Sequence, residues 1–385
     1  MARRPAAPAG RIAATLSLLA FVALALASGF DRLGLQAPGP GRLVPPALRA
    51  NSARSAATLA LVRQQRGAAL AHARAAVAAD PVHPASTALL GTARLVDGDL
   101  AGAETAFRVA ARFGWREPAT QLYWYEAALR SGDLPRAAER LDAVLRTRPG
   151  FPASEQLLAP VESSAAGRAA LIARLRQRPL WLTGYLRTHG QSDAIFARRA
   201  LVLAELARAG SRLGCLPVAP FVEDALERGA RREGERAWLA HCPGASLDGG
   251  VVDGGFERFG RAGPSPFGWR AELSGDVGIR AFEKRPGDRA LAMRNRSAVS
   301  RRVLRQAVSL EPGLYRLTGD VARGRVAASL GCGALPPLPT RVEGDIGAGG
   351  QLLRVAPCPR LELGLWLRPG GEEVELDSIR LARVG

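Results

Sequence analysis

Three segments of this chain line up at a spacing of 34 residues, and that period constrains its first half more than any other feature. Gly98-Asp99-Leu100 recurs as Gly132-Asp133-Leu134, and small residues align at Ala69, Ala103 and Ala137 and again at Ala76, Ala110 and Val144. A bulkier position aligns as Ala73, Phe107 and Leu141, and a closing position as Pro81, Trp115 and Pro149. Small residues at fixed offsets let two helices cross closely, and a unit of this length buries its apolar face only by stacking on its neighbours. Arrays of such hairpins bind partners and rarely catalyse. The first unit is the least regular: Gln64 stands in place of the turn glycine and Ala73 in place of a bulky residue.

The N-terminus sets the compartment. Arg3, Arg4 and Arg11 precede an uncharged, almost wholly apolar run over 12–30. Arginines ahead of such a run hold the N-terminus in the cytoplasm and send the downstream chain across the membrane. Its 19 residues are close to the ~20 that span a hydrocarbon core, which predicts an uncleaved inner-membrane anchor with the bulk of the chain in the periplasm. Ala25-Leu26-Ala27 also fits the small-x-small rule for signal cleavage, so the alternative is a secreted or soluble periplasmic protein.

A formal net charge of +18 suggests nucleic acid, but its distribution argues otherwise. Lys284 is the only lysine, and the arginine excess is spread as +6 over 1–54, +2 over 55–160, +5 over 161–245 and +5 over 246–385. No run of like charges and no interleaving of arginine with aromatics marks a nucleic-acid groove. A diffuse positive field suits an acidic polysaccharide or anionic lipid instead. The four cysteines all lie on the exported side, and an even count in an oxidising compartment predicts two disulfides. Of the three pairings, the local one, Cys215 with Cys242 and Cys332 with Cys358, keeps each bridge inside one domain. None of the four has the spacing of zinc ligands.

Pro38-Gly39-Pro40-Gly41 and Pro45-Pro46 give 31–54 the composition of a linker that lifts the folded part off the membrane. The hairpins over 55–158, with small residues at helix crossings, a Gly-Asp turn and a closing proline, resemble tetratricopeptide repeats. That resemblance implies a protein partner. Apolar residues at helical spacing continue over 159–245 without the 34-residue register, as degenerate repeats or a helical cap. After Pro243-Gly244 alternation replaces helical periodicity: Leu304, Gln306, Val308 and Leu310 share one strand face, and Leu361, Leu363, Leu365 and Leu367 another. Eight to ten short strands over 246–385 argue for a sandwich or jelly roll. The expected fold is therefore multidomain α plus β: a membrane helix (1–30), a Pro/Gly linker, a helical hairpin-repeat solenoid, further helices, and a C-terminal antiparallel β-sandwich.

The order of motifs Asp253-Gly254-Gly255-Phe256-Glu257, Pro266-Phe267-Gly268-Trp269, Gln306 to Tyr315 and Val374 to Ile379 resembles carbohydrate-binding modules of the galactose-binding-like jelly-roll superfamily. The resemblance implies a structural calcium held by Glu257 and Asp377, with Asp253 beside them; no other cofactor is expected. A slip in alternation between Leu376 and Ile379 predicts a bulge at Asp377-Ser378. Phe256, Trp269 and Tyr315 fall where that family packs its core. Trp366 alternates with the four leucines, so it shares the other face with Glu362 and Arg368 and is either a glycan platform or covered by a neighbouring domain. The four histidines, His72, His83, His189 and His241, are far apart, and no phosphate-binding glycine loop occurs. Alternating Glu373, Glu375 and Asp377 imitate a glycosidase pair, though an acidic strand face is the commoner cause. These residues point to a non-catalytic envelope protein, with repeats docking a protein and the β-module binding a polysaccharide in exopolysaccharide or envelope assembly. The competing readings are a pure assembly scaffold and, more weakly, an accessory enzyme acting on glycans.

Overall fold

The computed structural model describes residues 8–36, 40–151, 154–245, 247, 250–260, 265–333, 344–347, 349–358 and 360–384. They divide into two compact units, Met1–Arg174 and Leu175–Gly385.

The first unit opens with α1 (Pro8–Leu33), whose stretch Ile12–Leu33 is long and apolar enough to cross a membrane or to serve as a signal sequence. Three helix pairs come next: α2 (Ala50–Val62) with α3 (Arg66–Ala79), α4 (Pro84–Asp97) with α5 (Leu100–Ala111), and α6 (Pro118–Arg130) with α7 (Leu134–Thr147). The 34-residue period is exact in the element starts, at 50, 84 and 118 and at 66, 100 and 134. The aligned small residues are the reason, since Ala69, Ala103, Ala137, Ala76, Ala110 and Val144 are all fully buried where helices cross. Gly91 serves the same end: a Cβ there would sit 2.9 Å from the Phe107 ring, so only glycine lets that ring lie against α4. Asp99 and Asp133 then cap the second helices by accepting from the backbone N–H of Gly102 (2.8 Å) and Arg136 (3.1 Å). The turn between helices needs a left-handed residue, with φ of +92° at Gly98, +74° at Gly132 and +60° at Gln64. Gln64 adopts the glycine geometry despite its side chain. α8 (Ser154–Ser163) and α9 (Ala165–Leu175) complete the helices that begin in this unit.

The segment 31–54 is not a free spacer. Short 3-10 turns over Pro40–Leu43 and Pro46–Leu48 pack on the end of α1, and α2 already begins at Ala50. The buried Asp31 carboxylate accepts from Asn51 N, Asn51 Nδ2 and Ser52 N, each at 2.9 Å, so the last turn of α1 caps the first turn of α2. Gly34 and Gly41 both close on Ser52, where a Cβ would lie 2.0 and 2.2 Å from its hydroxyl. The proline- and glycine-rich composition serves tight packing here, not reach.

Among the described residues the second unit joins four helices to nine strands. The helices are α10 (Leu182–Leu186), α11 (Asp193–Arg208), α12 (Cys215–Glu227) and α13 (Arg231–His241). The strands are β1 (Arg270–Ala271), β2 (Val277–Arg285), β3 (Asp288–Asn295), β4 (Arg301–Val308), β5 (Gly313–Arg323), β6 (Val326–Cys332), β7 (Gln351–Val355), β8 (Leu361–Leu367) and β9 (Glu373–Arg383). They form two antiparallel sheets of order β1-β4-β8-β6 and β2-β3-β9-β5-β7. One hydrophobic cluster draws on both, including Val303, Leu304, Leu363, Leu365, Leu317 and Leu376, and it takes in Phe256, Trp269 and Tyr315. Pairing between β5 and β9 shifts register between Thr318 and Asp320, and Ser378 has φ +51°, which is the expected bulge. Gly254 ties the start of the β part to its last strand: its carbonyl accepts from Ile379 N (2.9 Å), and a Cβ would meet Ile379 O at 2.2 Å. Helices α10 to α13 therefore belong with the sheets, whereas 159–245 reads in sequence as a continuation or cap of the repeats. The disulfides are Cys215–Cys242, joining the start of α12 to the end of α13, and Cys332–Cys358, joining the end of β6 to the segment before β8.

Candidate functional site

The face of the four-stranded sheet that carries Trp366 is closed. Every residue of β8 is buried, and Trp366 is 2% exposed. Its indole N–H donates to Ser329 Oγ (2.7 Å), and the Arg302 guanidinium stands 5.9 Å from the ring centroid. Glu362, expected on the same face as Trp366, is also buried and accepts from Arg302 (3.2 Å) and Arg305 (3.0 Å), while Glu272 accepts from Arg302 (2.7 Å) and forms an ion pair with Arg305 (3.1 Å). Arg368 lies past the end of β8, is exposed, and reaches the Gly344 carbonyl at 3.5 Å. The expected platform of Trp366, Glu362 and Arg368 is thus not assembled; two of the three are packing and ion-pair residues.

Trp366 is flanked by Arg302 of β4 and Ala327 of β6 on the neighbouring strands, and helices of the same unit meet the β1 edge of the sheet. Glu223 of α12 pairs with Arg270 of β1 (3.1 Å), and Phe267 packs against Trp238 and Arg231 of α13. The remaining cleft, lined by Glu223, Arg231, Arg270, Arg305, Arg360 and Glu362, encloses about 90 Å³. Ligand sites occupy ~300–1,000 Å³.

The opposite sheet is more open. A groove of about 350 Å³ runs along the five-stranded sheet, lined by Phe282, Lys284, Asp320, Glu375 and Asp377. The only lysine of the chain sits here and is held by Asp377, whose hydrogen bond raises the Lys284 pKa. Glu375 lies 3.9 Å from Arg323. Asp320, Glu375 and Asp377 all line this groove, but Asp377 is buried and paired with the Lys284 ammonium.

That ion pair also bears on calcium. Asp253 and Glu257 are close, and burial followed by the Glu257 carboxylate pushes the Asp253 pKa up to about 6. Asp253 accepts from Arg258 N at 3.1 Å, whereas Asp377 turns to Lys284. Among the described residues Asp253, Glu257 and Asp377 form no common ligand cluster. Of the described residues, the one group of three that converges is His189, Asp224 and Glu227, with ligand atoms within 4.8 Å. There Asp224 already accepts from Arg228 at 2.9 Å and from the Thr188 hydroxyl, and His189 stands 3.1 Å from Glu227, so ion pairing accounts for the arrangement.

A larger cleft, of about 500 Å³, lies in the first unit and is lined by Trp115, Arg116, Glu139, Asp142, Arg146 and Arg174. Trp115 is 48% exposed and lies under the Arg140 guanidinium, 3.9 Å from the ring centroid; Arg140 in turn donates to Gln121 Oε1 (2.9 Å). Asp142 holds Arg146 at 2.8 Å, leaving a rim with more guanidiniums than carboxylates. The sequence contains the signal for this site, because Trp115 replaces the proline of the other two repeats. A large ring at a position otherwise filled by proline is more informative than one alternating with leucines in a strand.

No protein-family model matches the chain, and no curated protein matches it.

Proposed function

We propose that this protein is a membrane-anchored, non-catalytic scaffold of the cell envelope. Its repeats, of the tetratricopeptide kind, dock a protein segment, and its β part, a galactose-binding-like sandwich of jelly-roll topology, is chiefly structural. The observation that carries the reading is the Trp115 cleft. Its volume falls in the range of ligand sites, its indole is half exposed, and its arginines suit a partner segment bearing carboxylates. The burial of Trp366 removes the main support for a sugar platform and favours the scaffold over the glycan binder. A photo-crosslinking residue at Trp115 should capture an envelope protein in cells. Adducts no different from those formed at the exposed Val82 would refute the docking role.

The uncleaved anchor is supported by the continuity of α1 through Ala25-Leu26-Ala27 and by the tie from Asp31 to α2. A mature protein that begins at Ser28 in the soluble fraction would overturn it. A second reading has its own observation: the groove at Phe282 combines a ring with Lys284, Asp320 and Glu375, the mixture a saccharide site uses. Affinity electrophoresis in envelope polysaccharides tests it, with Phe282→Ala expected to abolish any retardation.

A further inference from the structure

The junction between α1 and the first hairpin carries a surface that the scaffold reading leaves unused. Side chains from Ile12 to Leu26 are all exposed; covering begins at Ala27 and continues at Phe30, Asp31 and Gly34, one stripe at helical spacing. The segment after α1 therefore packs back along its last two turns. Because the uncharged run ends at Phe30, this packing overlaps the final turn of that run, a height of about 6 Å at 1.5 Å per residue. Gly34 and Gly41 closing on the same Ser52 fix the return, placing the turn Pro40–Leu43 beside the end of α1.

Around that return, Leu33, Leu35, Leu43 and Leu48 are exposed, Leu43 at 75%. Arg32 and Arg42, also exposed, immediately precede Leu33 and Leu43 in the chain. Exposed leucines and arginines alternating through one junction are the composition of segments that lie in a bilayer interface. Asp31 fits the same setting. A carboxylate at the end of a span is costly, and this one is buried with three N–H donors and the N-terminus of α2.

We propose that this junction is an interfacial foot. Leu33, Leu35, Leu43 and Leu48 enter the leaflet on the side of the folded chain, and Arg32 and Arg42 lie among anionic headgroups. The proposal rests on the reading that α1 stays in the membrane. Its consequence is that the first hairpin stands directly on the bilayer, with no spacer between.

Spin-label depth measurement on the full chain tests it, in nanodiscs of phosphatidylcholine and phosphatidylglycerol. All four cysteines are in disulfides, so an added thiol is the only one to react. Labels go at Leu43→Cys and Leu48→Cys, at Leu18→Cys within α1, and at Val82→Cys, an exposed site between α3 and α4. The expected result is a ratio of oxygen to water-soluble nickel-complex collisions at positions 43 and 48 several-fold above position 82 and below position 18. If position 18 reports lipid while 43 and 48 match 82, the foot is refuted and the anchor stands. A label at 18 that reports water refutes both. Low access to both probes at 43 and 48 would mean that another protein chain covers the leucines, which also overturns the proposal.

Discussion

Trp366 is the residue whose substitution best separates packing from binding. With the ring 2% exposed, Trp366→Ala removes a buried aromatic, a change that costs about 3–5 kcal/mol. It also strips Ser329 Oγ of its indole donor and the Arg302 guanidinium of a neighbouring ring, in a region where Arg302 and Glu362 are themselves buried. For a unit of about 200 residues each kcal/mol moves the melting temperature by roughly 2–4 °C, so the expected fall is about 6–20 °C. Trp366→Phe keeps most of the apolar volume and loses the N–H bond, so it should fall well short of that. Differential scanning calorimetry of the detergent-solubilised chain reads both. A shift of less than about 2 °C for Trp366→Ala, together with lost retention on an envelope polysaccharide, would show that the ring is a surface platform and not a packing residue.

The buried His241 ring accepts from Leu213 N (3.4 Å) and faces the Leu203 carbonyl (3.0 Å), and burial, aided by Arg212, lowers its pKa. The unfolded chain then binds the extra proton first, so stability is full above about 6.5 and is lost as pH falls below it; urea midpoints at pH 7.5 and 5 should differ more for the native chain than for His241→Gln. Asp253 has the opposite sign: with its pKa raised to about 6, the folded state holds the proton longer, and stability falls as pH rises from the ordinary carboxylate range to 6. Asp253→Asn should remove that slope in the same titration. Replacing Cys332 and Cys358 together by serine should cost about 2–4 kcal/mol in chemical denaturation, and non-reducing peptide maps of the native chain should contain only the two local bridges.

The repeat period was legible because close helix crossings demand small residues at fixed offsets, and those alanines are the buried ones. Both disulfides and the bulge at Ser378 were legible for similarly local reasons. The linker was not, because proline and glycine report backbone shape without saying whether a serine such as Ser52 waits to be packed against. Alternation placed Trp366 opposite the leucines correctly, but a period of two assigns faces, and only tertiary contacts decide which face meets water. Likewise the position of Asp377 on the last strand was fixed by pattern, while its partner, Lys284, came from a strand far away in sequence. The Trp115 cleft shows the limit from the other side: the departure from the repeat was visible, and its chemistry appeared only when Arg140 and Arg146 were brought beside it.

The two disulfides span only 27 and 26 residues, and they do not interleave. For a chain whose residues emerge in sequence order into an oxidising compartment, Cys242 reaches Cys215 before Cys332 has emerged, and Cys358 later finds only Cys332 unpaired. Joining thiols in order of arrival then yields the native bonds, and an oxidant suffices without an isomerase. A full-length reduced chain refolding from denaturant faces all three pairings at once, whereas the emerging chain faces one choice at a time. Direction of synthesis, in this chain, carries information that the thiols themselves do not.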